Sequence, residues 1–477
     1  MAITDFLVPL AVALIVGLLV IKLFFGSSSG KSKRAIPGFP KKDPVLGSIP
    51  FLRESGSLVE FVLRGHSLYG PVFSFWWGTD YCVVVGNPKY SKALSDCTYR
   101  PYGVSRVFEC VSTKEAFIFV NGEEYQRRKK LWWNPPLQHK AVEARGEVVT
   151  ELVVSDLMPM WEAWAKSGTE IDAFEFAIDT TVKVVNAFLF GAMIKKKEFL
   201  HDLAQATEKI WRSLTAAMWQ IKSKESAEEL ESCIAILRKT CKDLEEERKR
   251  NPPKGEKFFI DYILENEKDE NVVFADISFM MAAGVHTTAC LISWGMYYLA
   301  KNPQWQTYVQ KELDEKCSGS GAVTHEHVKD LNCLKNVIDE TLRMVSIVNF
   351  QGRGNPEAEV ELEEGYVIPK NSFIMISLCE ALRDPGQWKV PGEFWPARFE
   401  AEDPLRHALS FSPFGFAGNR ICPGKALALL EASEVLGNLL KKYNFKFAEG
   451  QVLPVLPKFS VVTVPSTKIG IVLVPRA

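Results

Sequence analysis

No charge of one sign predominates in this sequence: 57 Lys and Arg stand against 58 Asp and Glu over 477 residues, a net charge of −1. A chain without a basic field has little with which to hold nucleic-acid phosphates, so that partner class is excluded. Glycine (31) and proline (26) are at ordinary levels and no internal repeat is visible, which sets aside collagen-like, solenoid and low-complexity architectures. The ten cysteines, scattered from Cys82 to Cys422, form no CxxC pair. Neither a zinc site nor a dithiol motif is therefore indicated, and reduced, buried thiols in a cytosol-facing protein are the plain reading. Beyond one stretch near the N-terminus no second span of comparable length appears, and the composition is not that of a polytopic membrane protein. What remains is an ordinary globular composition, 47% hydrophobic and 24% charged.

The exceptional stretch is Phe6 to Phe25, FLVPLAVALIVGLLVIKLFF, whose single charge is Lys22. About twenty residues at helical rise span a bilayer, and a lysine near one end can snorkel to the interface. No basic region precedes it and no small-x-small site follows, so it reads as an anchor and not a cleaved signal. Lys31, Lys33 and Arg34 follow the span and only Asp5 precedes it, which places the rest of the chain in the cytosol. The expected organisation is an anchor and link over 1–30, a hinge over 31–50 stiffened by Pro37, Pro40, Pro44 and Pro50, and one large domain over 51–477.

Residues 71–86, β-branched and aromatic around Gly78-Thr79-Asp80, predict a hairpin. From 122 to about 250 the pattern is mostly helical, long helices are expected over 274–300 and 325–346, and short strands over 360–380 and 450–475. The fold class is mainly α with small β-sheets.

Cys422 carries the chemistry. A glycine-rich loop leads into it and the helix-forming run KALALLEASEVLGNLL follows, so the thiol lies at a helix N-terminus. There, backbone N–H groups and the positive dipole end stabilise a thiolate. Gly424 and Lys425 can aim their amides at the sulfur. Arg420 places a fixed cation two residues away, suited to a carboxylate beside a flat ligand. Upstream, Glu340 and Arg343 share a helix face at i, i+3, and with Arg398 they could form a charge-compensated buried group.

The segment PFGFAGNRICPGKALALLE resembles the haem-binding loop of the cytochrome P450 haem-thiolate enzymes. The resemblance covers roughly residues 36–475. It implies Cys422 as the iron ligand, Arg420 as a propionate partner, and Gly418 and Gly424 as the flanking glycines. Glu340, Arg343 and Arg398 match the family's structural triad. Ala283-Gly284-Val285-His286-Thr287 matches the segment of the long helix where a small-Gly pair loosens the helix and an acid and a threonine serve proton delivery. Thr287 keeps the threonine, but His286 replaces the acid. That imidazole could relay protons, block the iron as a second ligand, or simply pack. Tyr125 and Lys129 stand where the family usually has Trp and Arg on a propionate; a phenol can donate as indole does, but lysine loses the guanidinium fork. Arg127, Arg128 and Lys130 would flank the face where acidic redox partners dock. Gly415, between Phe414 and Phe416, occupies the usual phenylalanine position. Pocket positions by resemblance are Phe117, Phe119, Phe279, Ala283 and Val345 to Phe350.

The resemblance implies haem b as cofactor and a monooxygenase that inserts one oxygen atom from O2 into a lipophilic substrate such as a sterol, fatty acid or xenobiotic. Electrons would come from NADPH through a cytochrome P450 reductase, with cytochrome b5 as a further partner. The setting would be the endoplasmic reticulum membrane, single-pass, with the domain facing the cytosol. Two further readings stand beside it: a haem isomerase or dehydratase that activates no oxygen, and a haem-binding sensor of weak turnover. GSLVEFVLRGHSLYGPVFSFWWG and GFAGNRICP look closest to the orphan family-20 branch.

Overall fold

A computed structural model describes residues 34–101, 115–192, 197–218, 226–253, 255–319, 321–355, 357–404, 406–416, 420–459 and 462–476. The expected anchor, the first residues of the hinge, Cys110 and Gly418 lie outside them.

The principal helices are α1 (Leu58–Tyr69), α2 (Gly122–Arg128), α3 (Ala173–Phe190), α4 (Lys197–Met218), α5 (Ala227–Arg250), α6 (Glu270–Lys301), α7 (Pro303–Lys316), α8 (Asn332–Val345) and α9 (Lys425–Lys442). The strands are β1 (Val72–Trp77), β2 (Asp80–Val85), β3 (Glu170–Asp172), β4 (Phe350–Gly354), β5 (Val360–Glu361), β6 (Val367–Ile368), β7 (Phe373–Ser377), β8 (Tyr443–Phe447), β9 (Pro457–Phe459), β10 (Thr463–Pro465) and β11 (Gly470–Pro475). Helix dominates and the sheets are small, as the sequence predicts.

The largest sheet has the order β1-β2-β7-β4. The predicted hairpin is its edge pair, with Val72 opposite Val85 and Trp77 opposite Asp80. β7 then adds parallel to β2, with Cys82 opposite Phe373. The sheet is buried on both faces, which explains the unbroken apolar run of β2. Val83 and Val85 join Ile374 and Ile376 on one side, while Cys82 and Val84 join Phe73, Phe75 and Met375 on the other.

The proline-rich stretch read as a hinge is held against this sheet from its first described residues. Ser74 donates to the Pro37 carbonyl at 2.8 Å and Phe39 to the Ser74 carbonyl at 2.9 Å. Phe39 is buried among Phe51, Phe61, Tyr69 and Phe73. The segment from Arg34 onward is therefore part of the folded body.

The long helix α6 forms the spine of the helical half. Asp269 caps it by accepting from Asn271 N at 2.9 Å, and Pro303 lies just beyond its end. It packs against α3, α4, α5, α8 and α9. Among the described residues it is the one helix long and apolar enough to cross a bilayer, but it is a core helix, mostly buried inside the fold. Gly284 serves close packing: a Cβ there would come within 3.1 Å of Val185 on α3. The helix runs unbroken past it, so no loosening accompanies the glycine.

Candidate active site

Most of α6 is buried, yet Phe279, Ala282, Ala283, Gly284 and Thr287 are only half-buried. The spacing 279, 283, 287 is one face of a helix, so one face of α6 is left incompletely covered. The Thr287 hydroxyl donates back to the Ala283 carbonyl at 2.8 Å, leaving its oxygen lone pairs free to accept.

Helix α9 starts at Lys425 with Gly424 as its cap residue; Pro423 precedes the cap and does not open the helix. Cys422 stands just before it, its own N–H donating to the Phe414 carbonyl at 3.0 Å. The Gly424 and Lys425 amides lie close enough to the sulfur to stabilise its charged form. Burial pushes this thiol's pKa up; the two amides and the Lys425 ammonium oppose the shift. The side chain is nonetheless reached by solvent, unlike seven of the other eight described cysteines, which are buried.

Gly415 has a physical explanation. Its φ is +87°, a conformation that disfavours side chains. A Cβ there would lie 1.9 Å from Nε2 of Gln351 on β4. The glutamine occupies the place where an aromatic ring would sit. The flanking rings divide between the two core clusters, Phe414 packing with the helical one and Phe416 with the sheet.

Arg420 donates to the Thr98 carbonyl at 2.9 Å, the Val120 carbonyl at 2.7 Å and Asn121 Oδ1 at 3.0 Å. Its guanidinium lies 3.5 Å from the centroid of the Tyr125 ring. Lys129, one turn after Tyr125, has its ammonium 5.7 Å from the same ring. The three residues expected to serve the propionates are thus brought together.

Two more arginines join them that the sequence reading missed. Arg100 donates to the Gly352 carbonyl, and its backbone N–H to Asn121 Oδ1 at 2.7 Å. Arg353, buried at the end of β4, donates to Gln351 Oε1 at 3.3 Å. Burial lowers the proton affinity of all three, and repulsion from the neighbouring guanidiniums adds to it for Arg100 and Arg353: Arg353 and Arg420 fall to about 10, and Arg100 is also pushed well down. Among the described residues no carboxylate forms an ion pair with any of them. A cluster of guanidiniums at this density calls for anions. Two propionates beside Cys422 and a half-buried helical face meet that demand, so the residues present fit a haem. Neither had a local cue, because only the fold joins the Arg100 loop to β4 and both to Arg420.

His286 lies in the core, 1% exposed, with no well-formed hydrogen bond at either ring nitrogen. Burial lowers its pKa to about 4, helped by the Arg212 cation. It is a neutral imidazole held off the half-buried face that carries Thr287. The basic run after Tyr125 also differs from expectation. Arg128 is buried and paired with Glu124, and Arg127 pairs with Glu124 and Glu267. Only Lys130 of the three is fully exposed, because the neighbouring acids claim the arginines. Of the pocket positions, Phe119, Phe279 and Ala283 are half-buried, while Val345 and Ile347 are committed to the core.

Behind the site, Glu340 and Arg343 are wholly buried. Arg343 grips Glu340 in a fork at 2.7 and 2.9 Å, and Arg398 Nε adds a bond at 3.0 Å. The remaining guanidinium protons go to carbonyls of Leu382, Pro391, Glu393, Lys389 and Val390. The triad is structural, as predicted.

A family model described as Cytochrome P450 matches residues 37–472. Among curated proteins the chain is 25% identical to Cytochrome P450 20A1 of Bos taurus, over 91% of this chain and 92% of that protein. It is 24% identical to Cytochrome P450 20A1 of Homo sapiens over the same shares. It is 26% identical to the mitochondrial 25-hydroxyvitamin D-1 alpha hydroxylase of Homo sapiens, over 94% of each. The similarity to the 20A1 proteins is consistent with the family-20 branch.

Proposed function

The chain belongs to the cytochrome P450 family of haem monooxygenases, and we propose that it is a membrane-anchored member that oxidises a lipophilic small molecule at the endoplasmic reticulum surface, with its domain facing the cytosol. One observation carries the reading: the Cys422 sulfur at the start of α9, met by the Gly424 and Lys425 amides. Cys422 would ligate the iron. Arg100, Arg353, Arg420 and Lys129, with Tyr125, would hold the propionates. The haem, when bound, supplies the activation of O2, with electrons from NADPH through a reductase, and cytochrome b5 as a second donor.

The chain's own residues set the surroundings. Phe119, Phe279, Ala282 and Ala283 offer apolar contact and exclude water. The Thr287 oxygen can hold a proton-bearing water, since its own proton is engaged by the Ala283 carbonyl. His286, neutral and buried, does not supply the acid at the next position. That observation favours a second reading, a haem isomerase or dehydratase acting on a peroxide, which would turn over without NADPH or reductase.

The deciding experiment is the carbon monoxide difference spectrum of the reduced holoprotein. The long-wavelength thiolate band is expected, and Cys422→Ala should abolish it while leaving the arginine cluster intact. A thiolate-type band retained in Cys422→Ala would sink the assignment.

A further inference from the structure

Asp276 lies on α6 two turns before Ala283, wholly buried, and the function above gives it no role. Its carboxylate gathers donors from another part of the chain. Oδ1 accepts from the Phe117 N–H at 2.6 Å. Oδ2 accepts from the indole N–H groups of Trp132 at 2.8 Å and Trp133 at 3.1 Å. Arg128 Nη1 stands 3.6 Å from Oδ1 and is itself fixed by the Glu115 carbonyl at 2.6 Å. Backbone amide, indole and guanidinium are donors only, so an ionised carboxylate is the one side chain that serves them all. In a regular helix successive side chains diverge by about 100°. Lys129–Trp133 instead forms a π-helical turn, whose wider winding reduces that divergence and lets two adjacent indoles reach one acceptor. Such turns recur at functional sites.

Two of the residues held by Asp276, Phe117 and Trp133, belong to an aromatic stack. The Phe117 ring lies 4.4 Å from Trp133 at 19° and 4.7 Å from Tyr125 at 17°. Arg420 caps the far side of Tyr125. A continuous pile therefore runs from the propionate cluster to α6. Two residues beyond Phe117, Phe119 meets Phe279 nearly edge-on at 6.2 Å, and Phe279 belongs to the half-buried face of α6.

We propose that Asp276 is a positioning residue for the distal pocket: by fixing the Phe117 backbone and both indoles to α6, it sets the separation of Phe119 from Phe279 and thereby the bulk of ligand admitted to the iron. The proposal rests on the haem-thiolate reading, and its test separates the two.

Full-length holoprotein is titrated with imidazole and with 4-phenylimidazole, each of which ligates iron and shifts the Soret band. In Asp276→Asn the amide presents an N–H2 group to existing donors, so the wall loosens. The Kd of 4-phenylimidazole relative to imidazole should fall about threefold or more, while the carbon monoxide band stays in place. Trp133→Phe, which removes one donor and keeps a ring in the stack, should move the ratio the same way by less. An unchanged ratio in both variants, even with a lowered Tm, would overturn the proposal and leave Asp276 a tie within the fold. If Asp276→Asn does not fold, Trp133→Phe decides alone by the same criterion. Absence of the thiolate band in the unmodified protein would instead overturn the haem-thiolate reading, and the pocket proposal with it.

Discussion

At position 286 an imidazole stands where the family keeps an acid, and its burial has a measurable consequence. The folded pKa is lowered to about 4, below the ordinary value near 6.5 for an unfolded histidine. The unfolded chain therefore binds the proton first as pH falls. The stability associated with neutral His286 is complete above about pH 6.5 and is lost progressively toward pH 4. His66, also buried and lowered to about 4, acts in the same direction. His286→Phe should remove one of the two contributions. Between pH 7.5 and 5.0, its urea-unfolding stability should fall by about 2 kcal/mol less than that of the parent. Equal slopes would mean that Arg212 and the core do not keep the imidazole neutral. At this scale the sequence reveals identity but not environment. Cys422 and Arg420 are legible from the glycine-rich loop and the helix that follows it, and Thr287 only through the resemblance to the family's pattern. The neutral state of His286, the φ of Gly415 and the approach of Arg100 depend on neighbours hundreds of residues away or on backbone angles that carry no local signature.

Elements are legible in proportion to their length. The hairpin of β1 and β2 and the long helix α6 follow from periodicity, whereas the helix expected over 325–346 is broken into His325–Val328 and α8. The parallel pairing of β2 with β7 joins segments nearly three hundred residues apart, and no local pattern announces it. The same applies to the cluster that Glu340 organises, where α8 is tied to the irregular segment 382–398. Glu340 accepts from both arginines and from the Trp395 N–H at 2.8 Å. Removing its charge would leave two buried guanidiniums uncompensated. A broken buried pair costs about 3–5 kcal/mol, so Glu340→Gln should lower stability by that order and deplete folded holoprotein. Haem absorbance per mole of the protein that does fold should be unchanged, since no member of the triad belongs to the propionate cluster. A specific loss of haem from otherwise stable protein would contradict a purely structural role.

For the whole molecule, the question is whether the leader holds it to a membrane. Two stretches have the length and apolarity to span: Phe6–Phe25 in the sequence and α6 in the fold. α6 cannot serve, because it is the packed spine of the helical half and carries the Thr287 face. The folded body begins at Arg34, whose N–H donates to the Gly365 carbonyl at 2.8 Å and whose guanidinium sits 4.8 Å from the Tyr366 ring. A cut before Arg34 therefore removes none of the described contacts. If Phe6–Phe25 is the anchor, deleting residues 2–33 should move the protein from the membrane pellet to the supernatant at low salt. The carbon monoxide spectrum and Tm should be retained. A truncated protein that still sediments with membranes would place the attachment on the folded body. A truncated protein that loses its spectrum would mean that the leader contributes to the haem domain itself. Release with the spectrum intact is the outcome expected if the described core, the triad and the Cys422 loop, all of which lie after Arg34, suffice to hold the haem.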